Sequence, residues 1–233
     1  MNENAQGTES LEMVRRPLKS RRFSAVELLI ALALLFFFFP FVEEVQGGDL
    51  IVSLLLSLVL LSAVLAVSDR RSVLLIALVL AIPAIAGRWI NHFRPDLVHP
   101  AVFLTAALVL VAFVVVNLLR FVWRAPSVNI EVLCASISAY LMLGLMWTMA
   151  YWLVDQLTPG AFAFNAGPRS MNGFNGFYFS FITLSTVGYG DITPVSRIAR
   201  WLAAMEAMTG LLYVAILISR LVGLYSSAKS NDS

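Results

Sequence analysis

The chain has 233 residues, of which 60% are hydrophobic and 13% charged, with a formal net charge of +2. Soluble domains carry about a quarter charged residues, so this balance excludes an ordinary soluble globule. So small a net charge, with no dense basic stripe, also argues against a nucleic-acid partner. Cys134 is the single cysteine, so no intrachain disulfide and no cysteine metal spacing is possible; it reads as a small core-filling residue.

The elements follow in chain order. Residues 1–22 form a polar tail with Arg15, Arg16, Lys19, Arg21 and Arg22, expected in the cytoplasm. The next run is too long for a cleaved leader and lacks a small-residue cleavage site, so it reads as a retained helix. Six runs are long enough to span a bilayer: 23–42, 50–68, 72–90, 101–123, 132–154 and 197–226. Each must be helical, because lipid offers no partner to a free backbone amide. The fold class is therefore an all-α membrane protein. Phe36, Phe37, Phe38, Phe39 and Phe41 in the first run read as a lipid-facing or interfacial surface, and Pro83 as a kink in the third.

Placing the N-terminus inside puts eleven Lys/Arg residues inside and five outside, with Glu43, Glu44 and Asp49 in an outer loop. That asymmetry predicts a multi-pass protein of the cell (plasma or inner) membrane with both termini cytoplasmic. The chain divides into the tail 1–22, a peripheral four-helix domain 23–123, a cytoplasmic linker 124–131, a segment 132–226 with two spans and a long re-entrant loop, and a tail 227–233.

The segment between the last two spans does not read as an ordinary loop. Asp155 to Gly173 is rich in Pro, Gly, Asn and Ser and is expected to be an exposed turret. Phe174 to Ser185 then turns apolar, too short to span but suited to a half-helix entering the membrane. Thr186-Val187-Gly188-Tyr189-Gly190 follows at once, then Asp191 and Pro194. A cation that sheds its water needs oxygens from the wall it passes. Backbone carbonyls can provide them if successive residues aim them to one side. Such a backbone favours glycine, which accounts for Gly188 and Gly190. The carbonyls of Thr186, Val187, Gly188 and Tyr189, with the Thr186 hydroxyl, would form stacked oxygen rings for K+ when four copies surround one axis.

On these residues the segment 174–194 resembles the pore region of potassium channels. Six spans with one filter resemble the six-transmembrane, tetrameric branch. The resemblance implies a homotetramer among membrane lipids, passive K+ conduction, no enzymatic activity and no cofactor beyond the permeating K+. It also implies a bond between Tyr178 and Asp191 bracing the filter, although Tyr178 could merely pack. Gly210 lies nineteen residues beyond Asp191, where the resembled channels bend their pore-lining helix; close packing against the half-helix is the other reading. Leu211, Val214, Ile218 and Val222 recur at helical spacing and would line the pore, with Ile218 and Val222 at the cytoplasmic gate. The chain departs from voltage-gated relatives in that residues 101–119 contain no charge, so little voltage dependence is expected.

Glu206, within the last span, is expected either to hydrogen-bond the half-helix through Thr183 or Ser185, or to be a structural interhelical bond or a protonated carboxyl. Glu27 should reach the cytoplasmic interface. Arg88, His92, Arg94 and His99 read as a solvated outer cluster, although two histidines there could sense pH or hold a metal.

Overall fold

The computed structural model describes residues 24–42, 45–66, 71–94, 96–97, 99–165 and 170–231. The basic tail 1–22, the pair Glu43 and Glu44, and Arg70 and Arg169 lie outside the described residues. The molecule is an all-α membrane protein: α1 (Ser24–Val42), α2 (Gly48–Ala66), α3 (Arg71–Phe93), α4 (Pro100–Arg124), α5 (Ile130–Leu157), a short helix α6 (Phe174–Leu184) and α7 (Arg197–Asn231). Among the described residues, six of these helices are long and apolar enough to cross a membrane. Two three-residue strands, β1 (Phe162–Phe164) and β2 (Ile192–Pro194), flank α6 and pair antiparallel, Ala163 opposite Thr193.

Helix ends follow local chemistry. Asn129 caps α5 by accepting a bond from the Val132 amide at 2.9 Å. His99 caps α4 through Nδ1, which accepts from the Ala101 amide, with Pro100 in the first turn. His99 is exposed, as expected of a residue in the outer loop, and caps the helix from there. Arg88 lies within α3, as the span 72–90 implies, but it is not simply solvated: its Nε donates to the buried Ser53 hydroxyl of α2. Trp89 Nε1 donates to Ser57 one turn away. The α3 helix continues on both sides of Pro83. Glu27 is exposed on α1.

Two clusters hold the fold. The larger joins α1 to α6 and includes Leu28, Leu32, Phe39, Leu110, Val114, Met142 and Phe177. The smaller, at the outer end, gathers Tyr151, Ala161, Phe162, Met171, Phe179, Ile192 and Ala199. The stretch expected to be an exposed turret is therefore only partly so. Phe162 and Phe164 share one face of β1 with Ala163 exposed on the other, and Phe162 turns inward among the Pro, Gly and Asn residues that disguise it. The phenylalanines of α1 need correcting too. Phe37, Phe38 and Phe41 are exposed, but Phe36 meets Phe177 and Phe181 edge-to-face at 4.7 and 4.5 Å. Phe39 meets Phe174 and Phe177 in the same way at 5.9 and 5.1 Å. The helical period splits one aromatic run between lipid and the back of α6.

Since helices within lipid associate through packing and not through water exclusion, this aromatic contact is a principal tie between α1 and α6. Phe39→Ala is expected to cost roughly 3–5 kcal/mol, the usual range for emptying a buried phenylalanine site. Thermal unfolding in detergent should show a clear loss of stability, whereas Phe37→Ala should leave it nearly unchanged.

Candidate functional site: the re-entrant segment and its supports

The site is built where α6 ends. Beyond Leu184 the chain leaves the helix, and its next amides turn back to the helix end. Ser185 N donates to Phe181 O at 3.1 Å, Thr186 N to Thr183 O at 2.9 Å, and Val187 N and Gly188 N to Ile182 O at 2.8 and 3.2 Å. The last carbonyls of α6, which have no partner inside the helix, are thereby satisfied. With the amides taken from behind, the carbonyls of Thr186, Val187, Gly188 and Tyr189 receive no hydrogen bond from the described residues. Gly188 and Gly190 have φ of 52° and 80°, the region that glycine enters freely. Thr186 shares it, with φ of 59°, a strain the sequence did not announce. All five residues 186–190 are exposed on the single subunit, Tyr189 by 72%.

The outer end of the segment is pinned by a residue that sequence reasoning missed. Asn165, just past β1, donates its backbone amide to Asp191 O at 2.9 Å and its Nδ2 to Gly190 O at 3.1 Å. Its only signal in the sequence was an asparagine in a turn-rich stretch. The structure brings Tyr178 and Asp191 together, close enough for phenol and carboxylate to interact. Asp191 Oδ1 is buried and accepts no bond from the described residues.

Glu206 is completely buried, but its partners are neither Thr183 nor Ser185. The carboxyl meets Tyr151 Oη of α5 and Ser180 Oγ of α6, each at 2.5 Å. Ser180 Oγ also donates toward Gly144 O of α5 at 2.8 Å. The difference is one of helical phase: Thr183 and Ser185 lie nearer the helix end, where the Thr183 carbonyl holds Thr186 and the Ser185 hydroxyl bonds back to Phe181 O. Tyr151 and Ser180 carried no motif, and only the fold reveals them.

Gly210 has a packing reason. A Cβ there would stand 2.0 Å from Leu184 O, and one at Gly144 would enter the Phe181 ring at 2.2 Å. The two glycines let α5 and α7 close on either side of α6. Beyond them α7 presents one narrow buried stripe, Ala199, Glu206 and Gly210, continued by the half-buried Tyr213 and Leu217. Leu211, Val214, Ile218 and Val222 all lie on exposed positions away from that stripe. Toward its C-terminal end α7 is tied to the α4–α5 link, with Arg220 Nη2 donating to Ala125 O at 2.9 Å and the guanidinium 5.7 Å from the Trp123 ring centre.

Comparison with known proteins agrees with this geometry. The family model described as "Ion channel" matches residues 137–227, from within α5 through most of α7. Protein LctB of Geobacillus stearothermophilus is 32% identical over 99 residues, covering 35% of this chain and 73% of that protein. Two pore potassium channel b of Oryza sativa subsp. japonica is 34% identical over 83 residues, covering 35% of this chain and 21% of that protein. Voltage-gated potassium channel Kch of Escherichia coli (strain K12) is 40% identical over 68 residues, or 28% of this chain and 16% of that protein. The chain belongs to the potassium-channel family. Among solved structures there is no significant match. For this potassium-channel family member, α5, α6 and α7 lie within the matched region, and α1 to α4 precede it.

Gly210→Ala tests the tight crossing of α7 over the end of α6. An added methyl with nowhere to go costs about 1–3 kcal/mol in a packed core. Both thermal stability and ion conduction should fall. A glycine needed only for bending would instead leave stability unchanged or raised, since alanine favours a helix by up to about 1 kcal/mol.

Proposed function

We propose that this chain is one subunit of a K+-selective channel in which four copies surround a single pore and K+ flows passively down its electrochemical gradient. The observation that carries this reading is the row of carbonyls from Thr186 to Tyr189, open on the subunit surface while the amides of Thr186, Val187 and Gly188 are held by α6. A non-helical backbone at membrane depth is tolerated only against protein or water. One subunit offers one oxygen at each level, so a stripped cation needs several copies, and four give each level a closed ring. The hydroxyl of Thr186 adds a further ring at the inner end. Pairing of α6 and the filter with Tyr178, Asp191 and Asn165 supports the strand from outside the axis. In this reading K+ is the only bound ion and no further cofactor takes part.

The protein is placed in the cell membrane with both termini in the cytoplasm, from the excess of Lys and Arg in the links assigned to the inside. Lipid surrounds α1 to α4, and the homotetramer forms through the exposed faces of α7 and the filter. Residues 101–119 of α4 carry no charge. One elementary charge crossing the membrane is worth about 2.3 kcal/mol per 100 mV, so this domain has little with which to sense voltage. The inner gate is a ring of Ile218 and Val222, where branched apolar side chains can exclude water, with Leu211 and Val214 bordering the cavity above.

Purified protein in planar bilayers should give currents that reverse near the K+ equilibrium potential in opposed K+ and Na+ gradients, with only shallow voltage dependence. Gly188→Ala should abolish the current or its selectivity while the protein still inserts. Equal permeability of the wild type to both ions would rule the proposal out.

For the gate, Ile218→Ala or Val222→Ala should raise resting open probability without changing the reversal potential. Cysteines at the same two positions should react with a cytoplasmic thiol reagent and block current. If both stay unreactive in open channels, the gate lies elsewhere.

A further inference from the structure

Glu206 is an ionisable group at membrane depth that conduction itself does not use. Three oxygen–oxygen contacts meet around it: Tyr151 Oη to Oε2 and Ser180 Oγ to Oε1, both 2.5 Å, and Ser180 Oγ to Gly144 O, 2.8 Å. Each contact at such a distance needs a proton between its oxygens. The tyrosine and serine hydroxyls bring one each, and the Gly144 carbonyl, which also accepts from Thr148 Oγ1 at 2.9 Å, brings none. Two protons cannot serve three contacts. Were Glu206 ionised, Ser180 would have to choose between the carboxylate and Gly144 O, leaving two lone pairs face to face in a buried site. The charge would also lie among helices without an ion pair, a costly arrangement.

Nothing packed around the group offers compensation. From α5 it is faced by the phenols of Tyr151 and Tyr140. The α6 helix brings the uncharged Ser180, while its Tyr178 is turned to Asp191 and Tyr189. On α7 itself, Arg200 donates to Pro194 O, Arg220 to Ala125 O and Tyr213 to Ser136 O. Among the described residues no salt bridge reaches Glu206.

We propose that Glu206 carries a proton in this structure and, as a neutral acid, is a filter-positioning residue. The third proton completes one directed chain: Tyr151 donates to Glu206, Glu206 to Ser180, and Ser180 to Gly144 O. That chain fastens α7 and α5 to Ser180, the residue just before Phe181, Ile182 and Thr183, whose carbonyls hold the filter amides. This deepens the proposed channel function and rests on it. The sign follows directly. The fastening is intact while Glu206 holds its proton and is lost as rising pH removes it, so alkaline solution should reduce conduction.

Two measurements on the full-length protein in lipid test the assignment. Infrared difference spectra of wild type against Glu206→Gln at neutral pH should show the carbonyl band of a protonated carboxylic acid, which disappears as pH is raised. In bilayers, wild-type open probability should fall over the same alkaline range. Glu206→Gln, whose amide can donate to Ser180 and accept from Tyr151, should conduct like wild type at neutral pH and lose that alkaline fall. Absence of the band at neutral pH overturns the proposal, and so does an unchanged alkaline fall in Glu206→Gln. A wild-type protein silent in bilayers would defeat the channel reading, while the infrared band would still decide the proton on its own.

Discussion

A peptide backbone outside a helix cannot face hydrocarbon, and the rest of this structure is arranged around that prohibition. Five residues, Thr186 to Gly190, break the rule locally. The amides of Thr186, Val187 and Gly188 are absorbed by the end of α6, and the carbonyls of Thr186 to Tyr189 are left without a partner among the described residues. A surface of that kind is stable in a membrane only if other protein and water cover it. The same requirement explains the length of α6, which brings the chain to membrane depth and stops. It also explains the near-bare α7, only 11% of whose spanning window is buried within the subunit, compared with 61% for α5. Both observations fit a subunit of a multimeric assembly.

Support for the strand comes from three directions. Behind it, the helix-end carbonyls take its amides. At its outer end, Asn165 and the β1–β2 pair anchor Gly190 and Asp191. At the middle of α6, Ser180 is fastened to α5 and α7 through Gly144 and Glu206. Glycines at 144 and 210 set how closely the two long helices approach, since each sits where a single added carbon would collide with α6. A displacement at any of these points reaches the strand through short, well-packed contacts, with little compliant material between.

Much of this was legible in the sequence, for identifiable reasons. The spans announced themselves because a bilayer demands long apolar runs, and the observed helix ends differ from the reading by only a few residues. Gly188 and Gly190 were legible as glycines that a special backbone requires, and both have positive φ. The partners of Glu206 were not, because hydrogen-bond choice depends on the rotation of α6 relative to α7, and sequence spacing does not specify it. Asn165 was hidden for a similar reason: the strand pairing that presents it joins segments on opposite sides of α6. The phenylalanine run of α1 looked uniform, yet packing divides it into lipid-facing and buried halves. Gly210 could be read as a bend or as a close approach, and the geometry gives it the close approach.

The aromatic contact between α1 and α6 has a consequence for biogenesis. Phe36 and Phe39 leave the ribosome well before Phe174, Phe177 and Phe181 exist. The first helix must therefore wait in the bilayer, its inner aromatic face provisionally occupied by lipid, until the far end of the chain arrives. Contacts so distant in sequence form late and slowly. The segment Thr186 to Gly190, resting on a helix that α1 braces from behind, can acquire its final shape only after that helix has been made.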